Sequence, residues 1–96
     1  MIVVIGTLKG KPEHASELEA QLRAMGERVR ADEPGTITFL FAKHAAQPDV
    51  YRVVEVYKDE TARQAHLKSE HVAVIGPKIF ACLDGAIESE TLEAIM

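Results

Sequence analysis

The sequence predicts a single α+β domain of ferredoxin-like βαββαβ order, a four-stranded antiparallel sheet with helices on one face. Three observations predict it. Short runs rich in β-branched and aromatic residues alternate with longer runs whose apolar residues recur every three or four positions, the two periods that separate strands from helices. The two middle strand runs follow each other across a connection too short for anything but a hairpin. The chain has 96 residues, enough for one core and too few for a second.

Residues 2–8, IVVIGTL, are almost continuously apolar and suit a first strand buried on both faces. Lys9-Gly10-Lys11-Pro12 breaks the run, and Pro12 fits a first helical turn, where its missing N–H has no partner to lose. Ala15, Leu18, Leu22, Met25 and Val29 then form one stripe of a helix over about 12–31, with the opposite face charged. Asp32-Glu33-Pro34-Gly35 ends it, because a residue before proline disfavours the α conformation. TITFLFAK (36–43) and VYRVVEVYK (50–58) read as the second and third strands, joined through HAAQPD. Asp59 can cap a second helix and Ser69 offers a further cap for its continuation, which Gly76-Pro77 should break or kink. Asp84-Gly85 ends the helical stretch, and the alternation of AIESETL (86–92) gives a last strand. No internal repeat, low-complexity segment or linker suggests a second domain, so residues 1–96 are read as one.

The balance of 47% hydrophobic and 27% charged residues is that of a folded globular protein. A chain this short buries a small share of its surface, which makes self-association through a sheet face a natural route to further burial. With a net charge of −4 and eleven scattered Lys and Arg, there is no cationic footprint for nucleic acid. The only cysteine, Cys82, lies in the apolar stretch IFACL and reads as a small buried hydrophobe. MIVVIG lacks the basic start of a signal peptide, and no apolar run approaches a bilayer span, so neither membrane nor export is expected and the cytoplasm is the default compartment.

The stretch EVYKDETARQAHLKSEH, residues 55–71, carries the chemistry. Strand alternation puts Tyr51, Val53, Glu55 and Tyr57 on one face and Arg52, Val54, Val56 and Lys58 on the other. A carboxylate between valines is costly to bury without a hydrogen-bond partner. In the helix that follows, Ala62, Ala65 and His66 form a small-residue face that can lie against the sheet, so that Glu55, Tyr57 and His66 converge on a cavity. His66 can exchange a proton near neutral pH as a general base or acid, or serve only as a core histidine satisfied by a carboxylate. Glu55 can orient that histidine, hold a substrate hydroxyl, or form a structural salt bridge. Tyr57 can donate to a substrate oxygen or simply pack. His71, near a helix start, reads as a surface residue. Five positions separate His66 from His71, not the three or four that align two ligands on one helical face, so no metal site is expected. There is no phosphate-cradling glycine loop, dinucleotide fingerprint or nucleophile motif.

Residues 33–72 carry three features together: Glu33-Pro34-Gly35 before the second strand, Glu55-Val56-Tyr57-Lys58-Asp59 at the end of the third, and Ala65-His66-Leu67-Lys68-Ser69-Glu70-His71 on the helix. In these the chain resembles the antibiotic biosynthesis monooxygenase domain family. The resemblance implies a homodimeric α/β-barrel made by packing two ferredoxin-like sheets together, with a pocket between sheet and helices in each subunit. It implies a cofactor-independent monooxygenase that oxidises a small aromatic quinol or phenol with O2. In that reading His66 is the proton acceptor, Glu55 and Tyr57 hold base or substrate, and Phe39, Phe41 and His71 contact the substrate. Two positions depart from the usual pattern: Tyr57 stands where many members have Trp, and Phe39 where many have Tyr. The chain has no Trp, unlike the haem-degrading relatives. The strand end at Glu55 to Asp59 is also similar to the isomerase of phosphorylated autoinducer-2, which would need Lys43, Arg52 or Lys58 for a phosphate. A non-catalytic, small-molecule-binding barrel is the third reading.

Overall fold

The computed structural model describes residues 1–96. In chain order it contains β1 (Ile2–Lys9), a short 3-10 turn (Pro12–His14), α1 (Ala15–Asp32), β2 (Thr36–Lys43), β3 (Val50–Tyr57), α2 (Glu60–Leu67), α3 (Glu70–Ala81) and β4 (Glu88–Glu93). The four strands form one sheet in the order β2-β3-β1-β4, every neighbouring pair antiparallel. This is the ferredoxin-like arrangement that the alternation of periods predicts. No helix is long and apolar enough to cross a membrane.

The helices cover one face of the sheet. Leu18, Leu22, Met25 and Val29 of α1 are buried against Leu8, Phe39, Tyr51 and Val53 of the sheet and Ile75 and Ile79 of α3. Each such side chain contributes about 1.5–3 kcal/mol when fully withdrawn from water. Cys82 lies buried in the same cluster as a free thiol.

The other face is open, which corrects the reading of the first strand as buried on both sides. Only Val4, Gly6 and Leu8 of β1 are buried, while Val3, Ile5 and Thr7 are half-exposed. Strand register sets Val54 of β3 opposite Ile5 and Val56 opposite Val3. It sets Leu40 of β2 opposite Val54 and Leu92 of β4 opposite Val3. An apolar stripe therefore crosses all four strands with no layer above it.

Local boundaries depart from expectation where backbone chemistry decides them. Pro12 opens a 3-10 turn instead of α1 itself. α3 runs without interruption through Pro77, where a break or kink was expected. Pro77 and Ala73, whose carbonyl would have received the missing N–H, both lie on the exposed side, so that carbonyl is left to water. The last strand starts two residues later than the alternation suggested, at Glu88.

Candidate active site

The site is built where α1 ends, β2 begins and α2 crosses over both. Glu33 follows α1 with non-helical backbone dihedrals, and Pro34-Gly35 turns the chain into β2. A Cβ on Gly35 would lie 2.7 Å from the Ala62 Cβ, so the absence of a side chain is what lets α2 sit this close to the turn. Asp59 starts α2 by accepting a hydrogen bond from the Ala62 N–H at 2.9 Å. His66 stands four residues after Ala62 and faces inward with it. Ser69 then caps α3 through the Val72 N–H and donates its own proton to the His66 carbonyl at 2.6 Å. The break between the two helices is short and fixed, and it brings His71 alongside His66.

Both imidazoles meet the Glu33 carboxylate. His66 Nδ1 lies 2.8 Å and His71 Nε2 2.5 Å from Glu33 Oε2, while the Thr36 hydroxyl donates to Oε1 at 2.6 Å. His66, His71 and Glu33 side chains are all nearly inaccessible to solvent. Burial alone would raise the Glu33 carboxyl, but the hydrogen bonds from Thr36, His66 and His71 outweigh it and hold the group below the ordinary carboxylate value. Glu33 is thus an anionic hub that ties α1, β2, α2 and α3 together.

On the other side of His66, the Tyr57 hydroxyl donates to Glu55 Oε1. Burial first, then that hydrogen bond and the charges of Glu55 and Glu33, push the Tyr57 phenol far above its ordinary value. Glu55 Oε1 is 4.0 Å from His66 Nε2, too far for a hydrogen bond. Nε2 makes no other hydrogen bond, and no fully buried side-chain nitrogen or oxygen lacks a partner; this nitrogen therefore still touches solvent. The Phe39 ring lies 5.1 Å from the imidazole and meets Phe41 edge-on at 5.2 Å.

Glu55, Tyr57 and His66 come together as strand alternation and helix spacing suggested, but they converge on one another and on Glu33 more than on open space. His71 is buried, not a surface residue; its contact is Glu33. Ala65 is exposed, so only Ala62 and His66 form the inner face of α2. Arg52 projects to the open face of the sheet, away from His66. The spacing argument that kept His66 and His71 apart presumed one helical face, whereas a helix break places them on one carboxylate. One side-chain donor atom from each of Glu33, His66 and His71 lies within 4.8 Å of the other two. Glu33 itself was visible only as the acidic residue before Pro34-Gly35. Nothing in its local sequence names its partners, which lie 33 and 38 residues away.

Two cavities flank this network. One, of about 330 Å³, is lined by Glu33, Thr36, Ala62, Ser69 and His71. The other, of about 300 Å³, lies between α1 and β2, with Leu22, Phe39, Phe41 and Tyr51 below and Arg23, Arg30 and Lys43 at its rim. Phe39 lines this groove and also packs on the His66 imidazole. Near the groove's far end the Tyr51 hydroxyl donates to Glu19 at 2.8 Å, and Lys43 donates to the same oxygen at 3.0 Å. Burial and that hydrogen bond push the Tyr51 phenol up to about 12.

No curated protein matches the chain in sequence, whereas solved structures match it closely. A candidate antibiotic biosynthesis monooxygenase from Caulobacter crescentus is 28% identical, with a TM-score of 0.95 over 99% of this chain and 90% of its own. A conserved protein from Methanosarcina mazei is 26% identical, with a TM-score of 0.88 over 95% and 89% of the two chains. A candidate antibiotic biosynthesis monooxygenase from Nitrosomonas europaea shares the fold over the whole of both chains at 20% identity and a TM-score of 0.92. The profile of one family, described as antibiotic biosynthesis monooxygenase, matches residues 1–76, a span that contains the whole Glu33, Glu55, Tyr57, His66 and His71 network. The chain belongs to the antibiotic biosynthesis monooxygenase family.

Proposed function

We propose that the protein is a cofactor-independent monooxygenase that oxidises a small aromatic quinol or phenol with O2, His66 acting as proton acceptor. The observation that carries this reading is the asymmetry of His66. Its Nδ1 is held by the buried Glu33 carboxylate at 2.8 Å, while Nε2 is unbonded and stands 4.0 Å from Glu55. A carboxylate that fixes the Nδ1–H tautomer leaves Nε2 with a free lone pair, the arrangement a general base needs. A substrate hydroxyl entering between Nε2 and Glu55 gives its proton to Nε2. The resulting electron-rich anion passes one electron to O2, and the radical pair combines at a ring carbon as a hydroperoxide. Loss of water leaves one oxygen atom on the ring as a quinone carbonyl, so that phenol plus O2 gives quinone plus water. Tyr57 and Glu55 position the ring oxygen, with Phe39 and Phe41 against the ring.

Arg52 points away from the network, and Lys43 is already paired with Glu19. Two of the three cations that a phosphorylated substrate would need are thereby removed, and the third, Lys58, is exposed at the strand end, which favours the phenol reading over an isomerase of the autoinducer type. We further propose that the working unit is a homodimer in which the open apolar sheet face of each chain meets its copy.

Oxygen uptake by metal-stripped, flavin-free protein with hydroquinone and 1,4-dihydroxynaphthalene tests the reading, after subtraction of autoxidation. The expected result is uptake above background that falls at least about tenfold in His66→Ala, equivalent to roughly 1.4 kcal/mol of transition-state stabilisation. Uptake equal to background, or equal in wild type and variant, refutes it.

A further inference from the structure

Five of the six glycines have a structural reason to be glycine. A Cβ on Gly6, Gly10 or Gly35 would come within 2.8 Å of a neighbouring side chain, and Gly85 has a φ of +97°. Gly76 precedes Pro77 within α3, where a Cβ crowds the proline ring. Gly26 has no such reason. It lies in the middle of α1, where glycine weakens a helix relative to alanine. A Cβ built on it meets nothing within 4 Å.

The empty space above Gly26 is the groove between α1 and β2. Across from it are Phe39, Phe41 and Tyr51, an aromatic wall. Around it stand three cations, Arg23, Arg30 and Lys43, and two carboxylates, Glu19 and Glu27; Glu19 already serves Arg23, Lys43 and Tyr51, while Arg30, one helical turn beyond Gly26, makes no ion pair. A planar, electron-rich ring suits such an aromatic wall with cations beside it. The volume of about 300 Å³ is at the lower end of ligand pockets, which run from about 300 to 1,000 Å³. That favours one or two fused rings over a larger polycycle.

We infer that Gly26 is a specificity-determining position: its missing side chain makes room in the groove between α1 and β2 for the second ring of a bicyclic phenol. The inference rests on the quinol or phenol reading for its ligand class, and Phe39 connects the two because it lines the groove and also packs on His66. A leucine at position 26 projects into the space that the second ring occupies, while a single-ring ligand still fits beside Phe39. An alanine adds one methyl and restores helix propensity.

Calorimetric titration with 1-naphthol and with phenol, in the absence of oxygen, tests this on wild type, Gly26→Ala and Gly26→Leu. Wild type is expected to bind 1-naphthol. In Gly26→Leu its affinity falls at least about tenfold, whereas phenol affinity changes less than about threefold. Melting temperature monitors folding, and Gly26→Ala is expected to raise it by about 2–8 °C. Failure of wild type to bind 1-naphthol, or equal naphthol affinity in the leucine variant, overturns the inference. Size selection without any oxygen uptake upholds it and removes the monooxygenase reading alone.

Discussion

Replacing Glu33 is the sharpest test of how the site holds itself together. Its Oε2 receives two imidazole N–H groups and its Oε1 the Thr36 hydroxyl. Glu33→Ala leaves two buried ring nitrogens without an acceptor, and each stranded donor costs about 1–3 kcal/mol. The expected loss is therefore about 2–6 kcal/mol, against a total stability of about 5–15 kcal/mol for a small domain. Glu33→Gln keeps an acceptor oxygen for the imidazoles, and the Thr36 hydroxyl can rotate to accept from the amide. Only the charge assistance is then lost, and the loss should be smaller, about 1–2 kcal/mol. Urea unfolding at pH 7 measures both. A pH series adds a signature that packing cannot imitate. Because the folded Glu33 carboxyl lies below its ordinary value, its contribution is complete above the unfolded carboxylate pKa of about 4.3 and disappears as pH falls through the folded value. Wild type should lose stability over that acid range more steeply than Glu33→Gln, so the two curves draw together on acidification. Alanine and glutamine variants of equal stability, or parallel acid limbs for wild type and Glu33→Gln, would refute the assignment of Glu33 as a charged hub.

Three further outcomes follow from the same geometry. Tyr51 and Tyr57 both ionise above their ordinary range, so their neutral forms stabilise the fold fully below about pH 10, the unfolded value, and that stabilisation is lost as pH rises through the folded values. Ultraviolet titration of wild type at pH 11 should show little tyrosinate, rising in one step with unfolding; early, reversible ionisation of both would contradict it. Gly35→Ala sets a methyl 2.7 Å from the Ala62 Cβ and should cost about 1–3 kcal/mol in urea unfolding, a value near zero being the contrary result. Val54→Arg places a charge at the centre of the open sheet face proposed as the homodimer seam, and sedimentation equilibrium tests that proposal: a two-chain mass for wild type and a one-chain mass for the variant are expected, and a one-chain wild type or an unchanged variant would refute it.

Period and punctuation made the fold legible. The stripe from Leu18 to Val29 specified α1, and Glu33-Pro34-Gly35 its end, because a 3.6-residue repeat and a proline act through local geometry. The alternation in residues 51–57 likewise placed Glu55 and Tyr57 on the helix side and Arg52 on the other. The site was legible as a set of residues, but not as a set of contacts. Glu33 looked like a turn residue, since its role depends on two histidines more than thirty positions away. His71 looked exposed because a residue near a helix start usually is; here the Ser69 cap turns α3 so that its first turn faces α1. Pro77 misled for the opposite reason: its helix face is wet, and water takes the carbonyl that the ring deprives of a partner.

The network also limits what a structural explanation can cover. If Glu33, His66 and His71 existed only to pin three helices to a sheet, the hydrogen bonds of Glu33 would suffice, and the residues beyond His66 could be apolar. Instead the chain places a second carboxylate, Glu55, on the half-buried strand face. It satisfies that group with the Tyr57 hydroxyl and stops 4.0 Å short of Nε2. Holding a carboxylate there is costly, and a direct bond to the imidazole would have recovered more of the cost. The gap is the one unclosed joint in an otherwise saturated chain of hydrogen bonds from Thr36 to Tyr57. A substrate hydroxyl placed in it would donate to Nε2 while Glu55 and Tyr57 fix the ring that bears it. The hub on the Glu33 side keeps the imidazole from turning to close the joint itself. In the proposed reading stability and chemistry use opposite nitrogens of one ring, so Glu33 variants should lose both.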